Sequence, residues 1–321
     1  MVELGFDLAV LLISAVLVIV RTANGLILSW DSNAYVSAAL EMQRLGALPR
    51  DFVAYPPLFP LTLSLFGNVI DGARLLNIAC FVLTVTLTLM LLRGRAGWRL
   101  QIAVLIALLV SPALFQTQIL LLSEALFIVW VSAFFLMALR LHSRVGVIAL
   151  AALAAFGALT RYVGIMLVPV GMWIVLSRRR KLGEVILFAV IACAPLAIWS
   201  AKNVALGFAP LGARDPAQIT MAASFLATAA TLLEWVPILI VAMIVAWGQK
   251  VDLPSRWLIG AWLYVALHIA IIAISPGLTH VDKPDERLLA PAFVPLVLAL
   301  LATESRLRER LKAPALRQAP A

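Results

Sequence analysis

The chain has 321 residues, 64% of them hydrophobic and only 13% charged. Apolar runs of about 15 to 20 residues recur along its whole length, which excludes a soluble domain and makes it an all-α polytopic membrane protein. A formal net charge of +9 would suggest nucleic acid in a soluble protein; here the excess follows from asymmetry between loops, and no nucleic acid is expected as a partner.

The N-terminal MVELGFD lacks the basic n-region of a cleaved signal, so a first span over 6–20 is expected to persist as an uncleaved helix. A long polar interval follows over 30–66. In it Tyr35, Ala38, Ala39, Met42 and Leu45 are spaced to line one face of a helix, which Gly46 and Pro49 end. With Glu41, Gln43 and Arg44 on its other side, this amphipathic helix suits the plane of a membrane surface. Asp31 opens it and has two readings, an N-cap or a chemically active carboxylate at the bilayer edge. The prolines of Tyr55-Pro56-Pro57-Leu58-Phe59-Pro60 are expected to force an extended passage.

Further spans are expected over 73–92, 100–115, 123–139, 145–160, 163–176, 184–200, 232–247, 257–274 and 288–303, giving about ten transmembrane helices. They make one integral-membrane domain over 1–321, with a first external loop over about 21–72 and a short cytoplasmic tail over about 304–321. Cys80 and Cys193 lie inside apolar runs and imply neither a disulfide nor a metal.

Lys and Arg collect in alternate loops: Arg93 to Arg99, Arg140 and Arg144, Arg178 to Lys181, Lys250 and Arg256, and the segment from Arg306 on. Those loops are expected to be cytoplasmic, with both termini inside, as in a bacterial-type inner membrane. The opposite face, toward the periplasm or exterior, then carries Asp31, Glu124, Arg161, Lys202, Arg214, Lys283 and Arg287. Acidic groups come from the early outer loops and basic groups from the later ones. That set suits a site that holds an anionic lipid phosphate and either deprotonates an acceptor or binds a cation.

Glu124 stands between apolar stretches, where a carboxylate is costly unless paired, metal-bound or protonated. Arg161 joins two spans of about 14 to 16 residues, which reach only about 21 to 24 Å against an apolar core of roughly 30 Å, so it sits at or just below the surface. Its alternative is snorkelling toward head groups. Arg287 has the alternative of an interfacial anchor, and Arg214 that of loop decoration. His280, Asp282 and Asp285 are read as a solvated loop, since their spacing matches no ligand pattern. No Walker, GxSxG or HExxH motif is present, so no nucleotide is expected.

WDSNAYVSAAL followed by RLGALPRDFVAYPPLFPL resembles the first external loop of GT-C-fold glycosyltransferases of the family 39, protein O-mannosyltransferase and aminoarabinose transferase-like group. LLSEALF, LTRYVGI, WSAKNVALGFAPLGARDP and DERLLAPAFVPL are similar to later segments of that group in the same order. The resemblance implies transfer of a sugar from a polyprenyl-phosphate donor to a lipid, glycan or protein acceptor at the outer membrane face. It makes Asp31 the catalytic base and Glu124 a second acidic site residue, with a divalent metal cation on the two left open. It points Arg161 and Arg287 at the donor phosphate; Arg214 and Lys202, basic groups of a later outer loop, are expected to join them by their charge, and Tyr35 and Tyr55 belong to the substrate loop. Many relatives carry a paired Asp-Glu where this chain has Asp31-Ser32. The rival class is a lipid-linked sugar flippase or small-solute permease, which would place polar or broken-helix sites at mid-membrane.

Overall fold

A computed structural model describes residues 2–212, 216–279 and 282–317, with the side chains of 2–5, 7 and 312–317 left undescribed. Among the described residues thirteen α-helices and one 3-10 turn make up the ordered structure: α1 (Val2–Arg21), α2 (Trp30–Leu45), α3 (Leu58–Leu63), α4 (Val69–Leu92), α5 (Trp98–Val110), α6 (Pro112–Ile119), α7 (Glu124–Leu139), α8 (Arg144–Thr160), the turn Tyr162–Met166, α9 (Leu167–Arg179), α10 (Leu182–Ala205), α11 (Met221–Ala246), α12 (Ser255–Leu278) and α13 (Glu286–Arg317). Every segment read from the sequence as a span is helical. Among the described residues six helical stretches are long and apolar enough to cross a membrane, and the pair α5–α6 makes a seventh if it is one span. The protein is an integral membrane protein.

Two expected spans depart from a single straight helix: the one over 163–176, which begins as the 3-10 turn Tyr162–Met166, and the one over 100–115. The one over 100–115 breaks between α5 and α6 with a bend of 52°. Pro112 cannot extend the preceding helix and instead starts the next one at its first turn, where its missing N–H costs nothing and the Ser111 side chain accepts from Leu114 N. Helices α7 and α8, of 16 and 17 residues, extend only about 24 to 26 Å and fall short of a roughly 30 Å apolar core. Beyond the expected span over 288–303, α13 continues as helix to Arg317, within the segment read as a short cytoplasmic tail.

Helix α7 is the centre of the bundle. It is buried along nearly its whole length and packs against α4, α8 and α13. Phe134 and Phe135 lie edge to face at 5.5 Å, and Phe135 continues the aromatic packing to Trp257 and Tyr264 of α12. A carboxylate at the first position of such a helix is therefore carried at the end of the most enclosed element in the molecule.

The connecting loops sort into two groups in space. At one end Asp252 N donates to Arg95 O, Arg306 contacts Leu253 and Ser255, and Arg178 reaches Ala138, Leu139 and His142. At the other end Ile27 pairs with Leu120, Tyr162 with Val53, Pro216 with Thr279, and Glu124 with Arg161. This is the alternation that the Lys and Arg distribution requires of a chain that crosses and recrosses a layer.

Candidate functional site

Asp31 does not cap α2. The cap is Ser29, whose side chain accepts from Ser32 N, while Ser29 N donates to Ser32 Oγ at 2.8 Å, a reciprocal capping box. Ser32 is fully buried and donates onward to Leu121 O at 2.8 Å. The residue that stands in place of a second acid thus fastens α2 to the segment leading into α7. Ile27 N bonds Ile119 O, Leu121 N bonds Ile27 O, and Asn77 of α4 donates to Gln118 O and Leu120 O, so this junction is held from both sides.

With the cap supplied by Ser29, the Asp31 carboxylate is free to turn outward, where Tyr55 donates to its Oδ1 at 2.6 Å. Tyr55 is placed by aromatic packing. Its ring lies 5.0 Å from Tyr35 and 6.0 Å from Phe52, and Phe59 meets Tyr35 edge to face at 4.9 Å. The proline-rich passage differs from the expected extended run, because α3 begins at Leu58 and takes Pro60 into its first turn, where no N–H is needed. On α2 the residues Ser32, Tyr35, Ala38 and Ala39 are buried against protein, while Leu45 stays exposed.

Tyr35 is enclosed, and its hydroxyl lies 3.3 Å from Ser123 Oγ. Burial pushes its phenol well above the ordinary value, so it remains a neutral hydrogen-bonding group. Ser123 also accepts from Arg161 Nη1 at 3.2 Å. Arg161 reaches this place because α8 stops at Thr160 and Arg161 is extended, after which the chain reverses tightly. A Cβ on Gly164 would lie 2.3 Å from the Gly157 backbone, so only glycine permits that reversal.

Glu124 is almost fully buried, and its cost of burial is met by two arginines. Arg161 Nη1 lies 2.7 Å from Oε1 and Arg287 Nη1 lies 3.5 Å from the same oxygen. Neither Glu124 oxygen accepts an aligned hydrogen bond from a described residue, so the contact is ionic. The carboxylate also sits at the N-terminus of α7, where the helix dipole favours negative charge. Arg287 is further held by Asp285, whose Oδ2 is 2.9 Å from Nε, and by Asp282. Asp285 in addition caps α13, accepting from Leu288 N at 3.0 Å. Asp282 and Asp285, read from the sequence as part of a solvated loop, keep their side chains partly exposed and both pair with Arg287. His280 lies outside the described residues.

One cavity of about 600 Å³ gathers these groups, with Asp31, Tyr35, Tyr55, Arg161, Tyr162, Asp282 and Arg287 in its wall. Glu124 is not in the wall and stands beneath the two guanidiniums. Lys202 is not in it either. Its Nζ lies 4.1 Å over the Trp199 ring, and Trp199 Nε1 donates to the Tyr162 hydroxyl, which in turn donates to Val53 O, so Lys202 is one layer removed from the position expected of it. Arg214 lies outside the described residues.

The residues present do not fit a divalent cation shared by Asp31 and Glu124. Two guanidiniums within 3.5 Å of Glu124 repel a cation and already neutralise the charge that would bind it. Among the described residues no group of three His, Cys, Asp or Glu side chains is placed to hold a metal ion.

Residues that the sequence reading does not single out are Ser29, Ser123 and Tyr162, and Asp282 and Asp285 are read there only as part of a solvated loop. The Ser29/Ser32 spacing is a capping-box signal and could have been found. The others acquire their meaning only through partners distant in the chain.

No protein-family model matches the chain, and no curated protein matches it. Among solved structures, the fold is similar to that of ArnT from Cupriavidus metallidurans. The apo state matches with a TM-score of 0.66 at 18% identity over 95% of this chain, and the state bound to undecaprenyl phosphate with 0.67 at 19% over 94%. The chain spans 60% of the length of that protein in each comparison. The likeness shows the fold, and the all-α polytopic, GT-C-like architecture read from the sequence is the one found.

Proposed function

We propose that the protein is a membrane glycosyltransferase that moves a sugar from a polyprenyl-phosphate donor to a hydroxyl of a lipid, glycan or protein acceptor. The observation that carries this reading is the composition of one cavity wall, in which a carboxylate oriented by a phenol shares the space with two guanidiniums. The GT-C-like fold and the undecaprenyl phosphate bound by ArnT support the choice of donor class.

In the proposed reaction Asp31 takes the proton of the acceptor hydroxyl as its oxygen bonds to the anomeric carbon. The bond from that carbon to the phosphate oxygen breaks, and its electron pair stays on the lipid phosphate. Arg161 and Arg287 meet the charge that grows on the phosphate oxygens. Glu124 holds the two guanidiniums close together against their mutual repulsion, a role that needs no contact with substrate. The leaving phosphate makes the donor reactive, so no nucleotide enters. The cavity opens toward the periplasm or exterior and both termini are cytoplasmic, a reading supported by the Lys and Arg of the loops gathered at the opposite end of the bundle.

The test is transfer of a labelled sugar from polyprenyl phosphate into membrane extract by the purified protein, compared with Arg161→Gln and Arg287→Gln. Both variants are expected to lose donor affinity, with Lys replacements restoring it only in part because the guanidinium fork is lost. Full affinity in both Gln variants overturns the phosphate assignment, and no transfer by the wild type overturns the activity.

A further inference from the structure

His268 lies in the middle of α12, fully buried, and is one of the few polar side chains at that depth. Its Nε2 is 2.9 Å from the Leu288 carbonyl. A carbonyl only accepts, so Nε2 carries the proton, and Nδ1 has no hydrogen-bond partner among the described residues. The ring is therefore a neutral single donor. It is stacked on Phe127 with centroids 6.3 Å apart and planes at 28°, and leans on Tyr264 at 5.5 Å.

Two of the three residues that His268 touches, Phe127 and Leu288, are near neighbours of Glu124 and Arg287. Phe127 is one turn along α7 from Glu124, on the same face of the helix. Leu288 directly follows Arg287 in the first turn of α13. That turn is also held by the Asp285 cap, by Gln116 Nε2 donating to Glu286 at 3.0 Å, and by the ion pairs of Arg287. The His268 bond fixes it from inside the bundle, while the ring contact takes its bearing from α7. A lateral shift of about 1 Å between α7 and α13 would separate Glu124 from Arg287, since they stand at 3.5 Å and electrostatic attraction falls with distance.

We propose that His268 is a positioning residue for Arg287. It ties the first turn of α13 to α7 through Leu288 O and Phe127 and so sets the guanidinium that receives the donor phosphate. The proposal rests on the reading of Arg287 as phosphate-binding.

The experiment is a double-mutant cycle on the affinity of purified full-length protein for polyprenyl phosphate in nanodiscs. His268→Phe keeps the ring stacking and removes the donor. It is expected to weaken binding about three- to tenfold, the worth of one net hydrogen bond. In the Arg287→Gln background the same change is expected to have less than about a twofold effect, because the group it positions is gone. His268→Gln, which retains an N–H donor, is expected to restore most of the affinity. If His268→Phe does not accumulate as folded protein, the cycle is run with His268→Asn, whose shorter side chain leaves the Leu288 carbonyl out of reach. Equal losses with and without Arg287, or no loss at all, overturn the proposal while leaving the phosphate reading intact. Unchanged binding in Arg287→Gln alone overturns both.

Discussion

Tyr55 donates to Asp31 at 2.6 Å across the start of α2, and the cap of that helix is Ser29. The two roles that an acidic residue can play at this position are thus held by different side chains. Asp31→Asn and Asp31→Ala are both expected to leave α2 formed, each within about 1 kcal/mol of wild-type stability. Each is expected to lower transfer by about 100- to 10,000-fold, the usual effect of removing a general base. Thermal unfolding and transfer rate measured on the same preparations check this. An Asn variant that keeps more than a tenth of the rate would remove Asp31 from the chemistry.

Tyr55→Phe keeps the ring contacts to Tyr35 and Phe52 and removes only the hydroxyl. A hydrogen bond to a charged group is worth about 1.5 kcal/mol at the lower end, so transfer is expected to fall roughly tenfold with folding unaffected. A rate equal to wild type would mean that the phenol does not orient the carboxylate during turnover.

Glu124→Gln leaves two guanidiniums close together with their shared counter-charge removed. Breaking a buried ion pair costs about 3 to 5 kcal/mol; the lower end is expected here because Asp282 and Asp285 still hold Arg287. The variant should melt earlier and bind donor phosphate more weakly, and neither chelator nor added magnesium should change its behaviour relative to wild type. Chelator-sensitive transfer that Glu124→Gln abolishes would return a metal to this carboxylate.

Ser29→Ala is expected to destabilise α2 by about 1 kcal/mol through loss of the cap. Ser32→Glu, which writes an acidic pair beside Asp31, should be worse. Ser32 is fully buried and donates to the Leu121 carbonyl; a carboxylate there keeps the Ser29 N–H as a donor but faces that carbonyl in a space without room for it, at a cost of about 2 kcal/mol or more. Thermal midpoints of the two variants decide it, and a stable, fully active Ser32→Glu would show that α2 has room to shift.

Reporter fusions after Arg50 and Ala209 are expected to read external, and fusions after Arg95 and Arg180 cytoplasmic. The Lys and Arg expected to be retained inside cluster at the end of the bundle opposite the cavity. Arg50 and Arg95 reading on the same side would break the alternation that the loop contacts require.

Much of this was legible in the chain alone. Long apolar stretches need internally bonded backbone in a bilayer, so composition and run length determined the helices, and the alternation of Lys and Arg determined which loops share an end. Glu124 between apolar residues announced a partner, because an unpaired carboxylate there is too costly to keep. The sequence also carried the Gly46 stop of α2, where the backbone adopts φ 70°.

The tertiary structure decided which partner each charge found. Arg161 and Arg287 are far apart in sequence and converge on one Glu124 oxygen because the ends of α8 and α13 both pack against α7. Local spacing cannot report such a meeting. It also decided between local readings of equal merit. Ser29 and Asp31 are both good caps, and what separates them is that Ser32 bonds Leu121 on the α6–α7 junction while Tyr55 draws the Asp31 carboxylate into the cavity. Lys202, read from charge as a phosphate ligand, was turned onto the face of Trp199 instead, an attraction that depends on ring placement and leaves no mark in the charge pattern. Composition and periodicity act along one chain segment at a time, whereas ion pairing and ring contact depend on distances set by the packed bundle.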